Sequence, residues 1–104
     1  MTTGEEPGYL IEFLPKVNAQ IHALAEKADA LGIGMEFVLA LKTVVEQLKT
    51  RPLEWSDPEH RTRKKGGCVC HGISPPLYIR FVVYQEEEYV CLLDLRPMPG
   101  SPLE

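Results

Sequence analysis

The sequence predicts an α+β fold: β-α-α-β-β-β, with a helical hairpin packed on one face of a small antiparallel sheet. Three observations carry that expectation. Apolar residues recur at helical spacing between about residues 15 and 50. Two segments near the C-terminal end, 77–85 and 89–96, are rich in β-branched and aromatic residues and are joined by three glutamates. Glycine and proline cluster between these blocks. With 104 residues and 44% hydrophobic content, the chain has room for one core and reads as a single domain, 1–104.

The elements follow in order. Residues 1–7 are small and polar and read as a flexible tail. Residues 9–14, Tyr-Leu-Ile-Glu-Phe-Leu, alternate weakly and predict a first strand. Pro15 suits the first turn of a helix, where its missing N–H costs nothing. Val17, Ile21, Leu24, Ala25 and Ala28 then form one apolar stripe, and Gly32 and Gly34 bracket the break after it. A second helix carries Phe37, Val38, Leu41, Val44, Val45 and Leu48 on one face, and Pro52 stops it. Segment 52–59 reads as a loop whose Trp55 lids the core. A strand over about 61–71, interrupted at Gly66-Gly67, precedes a turn at 72–76. Prolines and Gly100 make 98–104 an extended, flexible tail.

The last hairpin has a testable register. A loop of three glutamates sets Val83 against Cys91, Phe81 against Leu93, Ile79 against Leu95 and Arg80 against Asp94. One face is then wholly apolar, including Cys91 and Leu93. The other carries Tyr78, Arg80, Val82, Tyr84, Val90, Leu92 and Asp94. In this register Arg80 lies directly across from Asp94, and an ordinary cross-strand ion pair is one of two readings of the arginine, a binding role being the other.

Charge narrows the function classes. The formal net charge is −4, which counts against an electrostatically driven nucleic-acid binder. The charge is uneven: residues 1–50 carry −3, residues 51–85 carry +3 and residues 86–104 carry −4. In the basic middle, His60-Arg61-Thr62-Arg63-Lys64-Lys65 holds four cations and no acid. Such a run either protects a strand edge or binds phosphate or carboxylate groups. No apolar run approaches the ~20 residues of a membrane span. With no basic region ahead of an apolar stretch near residue 1, a secretory leader is not expected, while a mature secreted fragment stays open. Three cysteines suit a reducing cytoplasm.

Cys68-Val69-Cys70-His71 invites a metal reading. On a strand, however, Cys68 and Cys70 share a face while His71 points away, and no second Cys-x-x-Cys pair exists. No metal or other cofactor is expected. Neither a Gly-rich phosphate loop nor a nucleophile elbow is present.

The opening strand, the helical hairpin, the segment LEWSDPEHRTRKKGG and the segment PLYIRFVVYQEEEYVCLLDLRP together resemble the RelE/ParE toxin superfamily of bacterial type II toxin–antitoxin modules. The resemblance spans residues 9–97. It implies a toxin-like component neutralised by a small antitoxin protein, with one of two activities. One is metal-independent mRNA cleavage on the ribosome, in which the 2′-hydroxyl attacks the neighbouring phosphorus. The other is non-catalytic, ParE-like binding of DNA gyrase or another partner, and an inactive homologue is a third outcome. Carried over by position, Arg80 matches the third-strand arginine and stabilises the phosphate. Arg61 and the histidines His60 and His71 complete the catalytic candidates, with imidazoles suited to proton transfer. Arg63, Lys64, Lys65 and Arg96 are backbone-binding candidates, joined by Tyr78 and Tyr84 on the same sheet face. His22 reads as structural.

Overall fold

The computed structural model describes residues 8–61 and 66–104, with positions 58–61 described by backbone alone. The expected α+β architecture is present: helices pack on one face of a five-stranded sheet. The elements are β1 (Leu10–Phe13), α1 (Pro15–Ala30), α2 (Gly34–Thr50), α3 (Pro52–Trp55), β2 (Asp57–Arg61), β3 (Cys68–Ser74), β4 (Leu77–Tyr84) and β5 (Tyr89–Pro97). In space the strands run β1-β5-β4-β3-β2.

Three expectations about the elements are corrected. Segment 52–59 is not all loop: Pro52–Trp55 makes one helical turn, and β2 starts at Asp57. The single strand expected over 61–71 is instead part of two strands, Asp57–Arg61 and Cys68–Ser74, which pair antiparallel, so the chain reverses between them. The sheet is also mixed, since β1 pairs in parallel with β5 while all other pairs are antiparallel. A parallel pair needs a long crossover, and here the helices and three strands lie between the two partners.

The helices form for the reasons the sequence gives. Pro15 opens α1, and Leu14 supplies an extended N-cap whose carbonyl accepts from Val17 N at 2.8 Å. Gly32, at φ +79°, makes the turn that ends α1. Val17 and Ala28 of α1 and Phe37, Ala40, Val44 and Leu48 of α2 are buried against the sheet. Val38, expected on that face, is exposed, and the smaller Ala40 takes the inner position. Ser74 ties β3 to α2 by donating to the Ala40 carbonyl at 3.1 Å.

On the sheet side the core consists of Cys68 and Cys70 on β3, Leu77, Ile79, Phe81 and Val83 on β4, and Val90, Leu92 and Leu95 on β5. Trp55 packs against this core as expected, its ring stacked on Phe81 with centroids 6.2 Å apart. That ring lies over Gly72, where a Cβ would meet it at 2.5 Å, so β3 accepts only glycine there without displacing the indole.

The register of the β4–β5 hairpin differs from expectation near its tip. The turn uses four residues, 85–88, so Tyr84 faces Tyr89, Val83 faces Val90 and Phe81 faces Leu92. A bulge then inserts Leu93, and the expected pairs Arg80–Asp94 and Ile79–Leu95 return beyond it. Hence Val90 and Leu92 enter the core, while Cys91 and Leu93 line the opposite face. Glu88 takes a left-handed φ of +53° to close the longer turn. The turn between β3 and β4 is shorter than expected and contains the cis Pro75-Pro76 bond.

The C-terminal segment is no extended tail. Met98 N donates to the Pro76 carbonyl at 2.8 Å, Lys27 Nζ donates to the Glu104 carbonyl at 2.9 Å, and Leu103 is 1% exposed within the core. The buried Leu103 side chain and these hydrogen bonds together hold the segment back against the core. No helix among the described residues is long and apolar enough to cross a membrane. The flexible tail expected at 1–7 lies outside the described residues.

Candidate functional site

The helices cover one face of the sheet and leave the other to be read from strand alternation. On β4, Leu77, Ile79, Phe81 and Val83 face the helices, so Tyr78, Arg80, Val82 and Tyr84 face away. On β3, His71 and Ile73 face away between the inward Cys70, Gly72 and Ser74. The ladder then aligns the chemistry: His71 stands opposite Arg80, Ile73 opposite Tyr78, and Tyr78 opposite Arg96. His71, Tyr78, Arg80 and Arg96 thus come together on one patch, drawn from three adjacent strands. The His71 ring stacks on Tyr78 with centroids 5.7 Å apart and 21° between planes, which fixes its orientation.

Asp57, at the start of β2, faces His71 in the ladder, with its Oδ2 3.9 Å from His71 Nε2. At that distance the two form a loose ion pair when the ring is protonated and no hydrogen bond. Asp57 is well exposed, so solvent screens the pair.

Asp94 departs from the expected ion pair with Arg80. Among the described residues its carboxylate is held by Gln20 at 2.7 Å, Lys16 at 3.5 Å and Arg96, whose Nε donates to Oδ2. Burial alone would raise this carboxyl. The hydrogen bonds from Gln20 and Arg96, with the charges of Arg96 and Lys16, outweigh it and hold the group below the usual carboxylate range. The arrangement follows from the edge of the sheet. The β1 pairing stops at Phe13, opposite Leu92, so among the described residues the distal half of β5 has no strand partner on that side. Gln20 takes its place, accepting from Leu95 N at 2.9 Å while donating to Asp94.

Toward the other end of the same face lies a cleft of about 660 Å³. Val82, Leu93 and Leu14 supply its apolar walls, with Tyr84, Tyr89, Cys91 and Glu87 around them. The two tyrosine rings sit 5.8 Å apart, and the Tyr89 hydroxyl donates to Glu12 Oε1. Burial, and then the nearby Glu12 carboxylate, push the Cys91 thiol up from its ordinary range, so it is a poor nucleophile. Sequence reasoning missed this cleft. The three-residue loop had put Cys91 and Leu93 in the core, and nothing in the local sequence marks the bulge at Leu93.

The cysteine pair behaves as the strand period requires. Cys68 and Cys70 are buried on the helical side with sulfurs 3.7 Å apart, and His71 lies on the other face. Among the described residues no three metal-ligating side chains converge. Of the remaining candidates, positions 60 and 61 pair with Val69 and Cys68 through their backbones. Arg63, Lys64 and Lys65 lie outside the described residues, as does the arrangement of the basic run as a whole. His22 is exposed on α1. No protein-family model, no curated protein and no solved structure matches the chain.

Proposed function

We propose that this chain is a toxin-like component of a type II toxin–antitoxin module that cleaves RNA without a metal ion, using the uncovered face of its sheet. The observation that carries the reading is the juxtaposition of His71 and Arg80 as directly opposed residues, with Tyr78 and Arg96 beside them. In the proposed reaction His71 accepts the proton of the 2′-hydroxyl as O2′ bonds to phosphorus. The phosphorus–O5′ bond breaks, and the departing O5′ takes a proton from water. The products are a 2′,3′-cyclic phosphate and a 5′-hydroxyl end. Arg80 stabilises the charge that builds on the non-bridging oxygens, through paired hydrogen bonds from a planar guanidinium. The Tyr78 ring, which stacks on His71, holds the base at its working angle.

A second reading draws support from the apolar cleft on the same face, which suits a protein side chain as well as it suits any substrate. There the chain binds gyrase or another partner and performs no chemistry. One experiment separates the two. The purified protein is incubated with messenger RNA, with and without ribosomes and always with EDTA, and the new 5′ ends are mapped. The nuclease reading expects 5′-hydroxyl ends that fall by at least about 100-fold in both Arg80→Ala and His71→Ala. Intact RNA under both conditions, together with growth arrest and DNA-damage signalling on induction in bacteria, moves the assignment to the binding reading. Neither cleavage nor arrest refutes both.

A further inference from the structure

We propose that the cleft between β1 and the β4–β5 hairpin binds an arginine side chain presented by an apolar protein segment, at a site separate from the His71–Arg80 patch. The cleft combines three features that suit a guanidinium. Two tyrosine rings, Tyr84 and Tyr89, lie 5.8 Å apart and tilted by 31°, and they offer faces on which a planar cation stacks. Two carboxylates stand beside them: Glu87 lines the cleft, and Glu12 is held at Tyr89 by the tyrosine hydroxyl. Anchoring Glu12 in this way reduces the entropy a carboxylate loses when it clamps a ligand.

The surroundings select both the charge and the company of that side chain. Among the described residues, the cleft lining carries no cation, and Glu86 and Glu88 lie in the adjoining turn. An anionic occupant such as a nucleic-acid backbone is therefore repelled from this end of the face, although the same face carries Arg80 and Arg96 at its other end. The walls built by Val82, Leu93 and Leu14 are apolar, so the residues flanking the arginine are expected to be apolar as well. A free metal cation is a poor fit, since the aromatic and aliphatic lining supplies too few oxygen ligands. Arginine is favoured over lysine because only the guanidinium can lie flat on a ring while engaging a carboxylate edge-on.

The test is an NMR titration of the ¹⁵N-labelled full chain with two octapeptide pools. Both pools are randomised among leucine, valine and glycine; one has arginine fixed at the centre and the other citrulline, which keeps the shape and removes the charge. The proposal expects amide shifts at Leu14, Tyr84, Tyr89 and Cys91, with the arginine pool binding at least about tenfold more tightly. It also expects that preference to vanish in the Glu12→Gln, Glu87→Gln double variant. Both substitutions are at exposed positions, and the spectrum of the free variant serves as the check on its fold. Equal binding of the two pools, shifts confined to other residues, or no shift at millimolar peptide each overturn the proposal. So does a short single-stranded RNA that moves the same four amides more strongly than the arginine pool. The readout does not depend on RNA cleavage, so either proposal can fail without the other.

Discussion

Replacing Gly72 by alanine tests the packing beneath the sheet. Alanine in a strand normally gains stability over glycine, by about 0.4–1 kcal/mol, because it restricts the unfolded chain. Here the added Cβ would stand 2.5, 2.6 and 3.0 Å from three carbons of the Trp55 ring, against an ordinary contact of roughly 3.5–4.0 Å. The indole must retreat by about 1 Å, and it is stacked on the fully buried Phe81. Overpacking of this kind costs about 1–3 kcal/mol. At about 4–8 °C per kcal/mol for a domain of this size, Tm falls by roughly 5–20 °C. Trp55 is the sole tryptophan, so its fluorescence reports both the displaced ring and the urea unfolding curve. Repeating the substitution with Trp55→Leu, followed by circular dichroism, should shrink the cost below about 1 kcal/mol, because the clashing atoms are gone. A Gly72→Ala protein at least as stable as the wild type, or one whose loss is unchanged without the indole, refutes the reasoning.

Three further outcomes follow from named contacts. The depressed Asp94 carboxyl contributes stability that is fully present above the unfolded carboxylate value of about 3.9 and is lost as pH falls through the lower folded value. Urea melts of Asp94→Asn should therefore show a cost of about 1–3 kcal/mol at pH 7 and a smaller one at pH 2; an equal cost at both values contradicts the assignment. Leu103→Ala should destabilise the fold by about 2–5 kcal/mol in chemical denaturation, as a core position does, whereas a free tail would give no change. Glu88→Gly relieves a left-handed backbone and should leave stability equal or higher by up to about 1 kcal/mol. Glu88→Val should lower it, and thermal melts that rank the two the other way exclude this turn geometry.

Much of the architecture was legible because short-range rules govern it. Pro15 and Pro52 marked where the long helices begin and end, and the alternation of Ile79, Phe81 and Val83 with Tyr78, Arg80 and Val82 fixed the two faces of β4. The separation of His71 from Cys68 and Cys70 followed from the same period of two, whereas its place opposite Arg80 came only from the β3–β4 pairing. The partners of Asp94 were not legible. Lys16 and Gln20 lie more than seventy residues away in sequence, and they reach the acid because β1 ends short of the distal half of β5.

Residue order alone was enough for the two long helices, the division of β4 into an apolar and a polar face, and the clustering of basic residues in the middle of the chain. These depend on residues a few positions apart, where periodicity, proline and glycine act directly. Tertiary structure decided the parallel seat of β1 beside β5, the bulge that turned Cys91 and Leu93 outward, and the burial of Leu103. Each reflects competition among distant groups for one core. A four-residue turn with a left-handed glutamate is tolerated because it buries Val90 and Leu92, and the bulge beyond it restores Leu95 to the same layer.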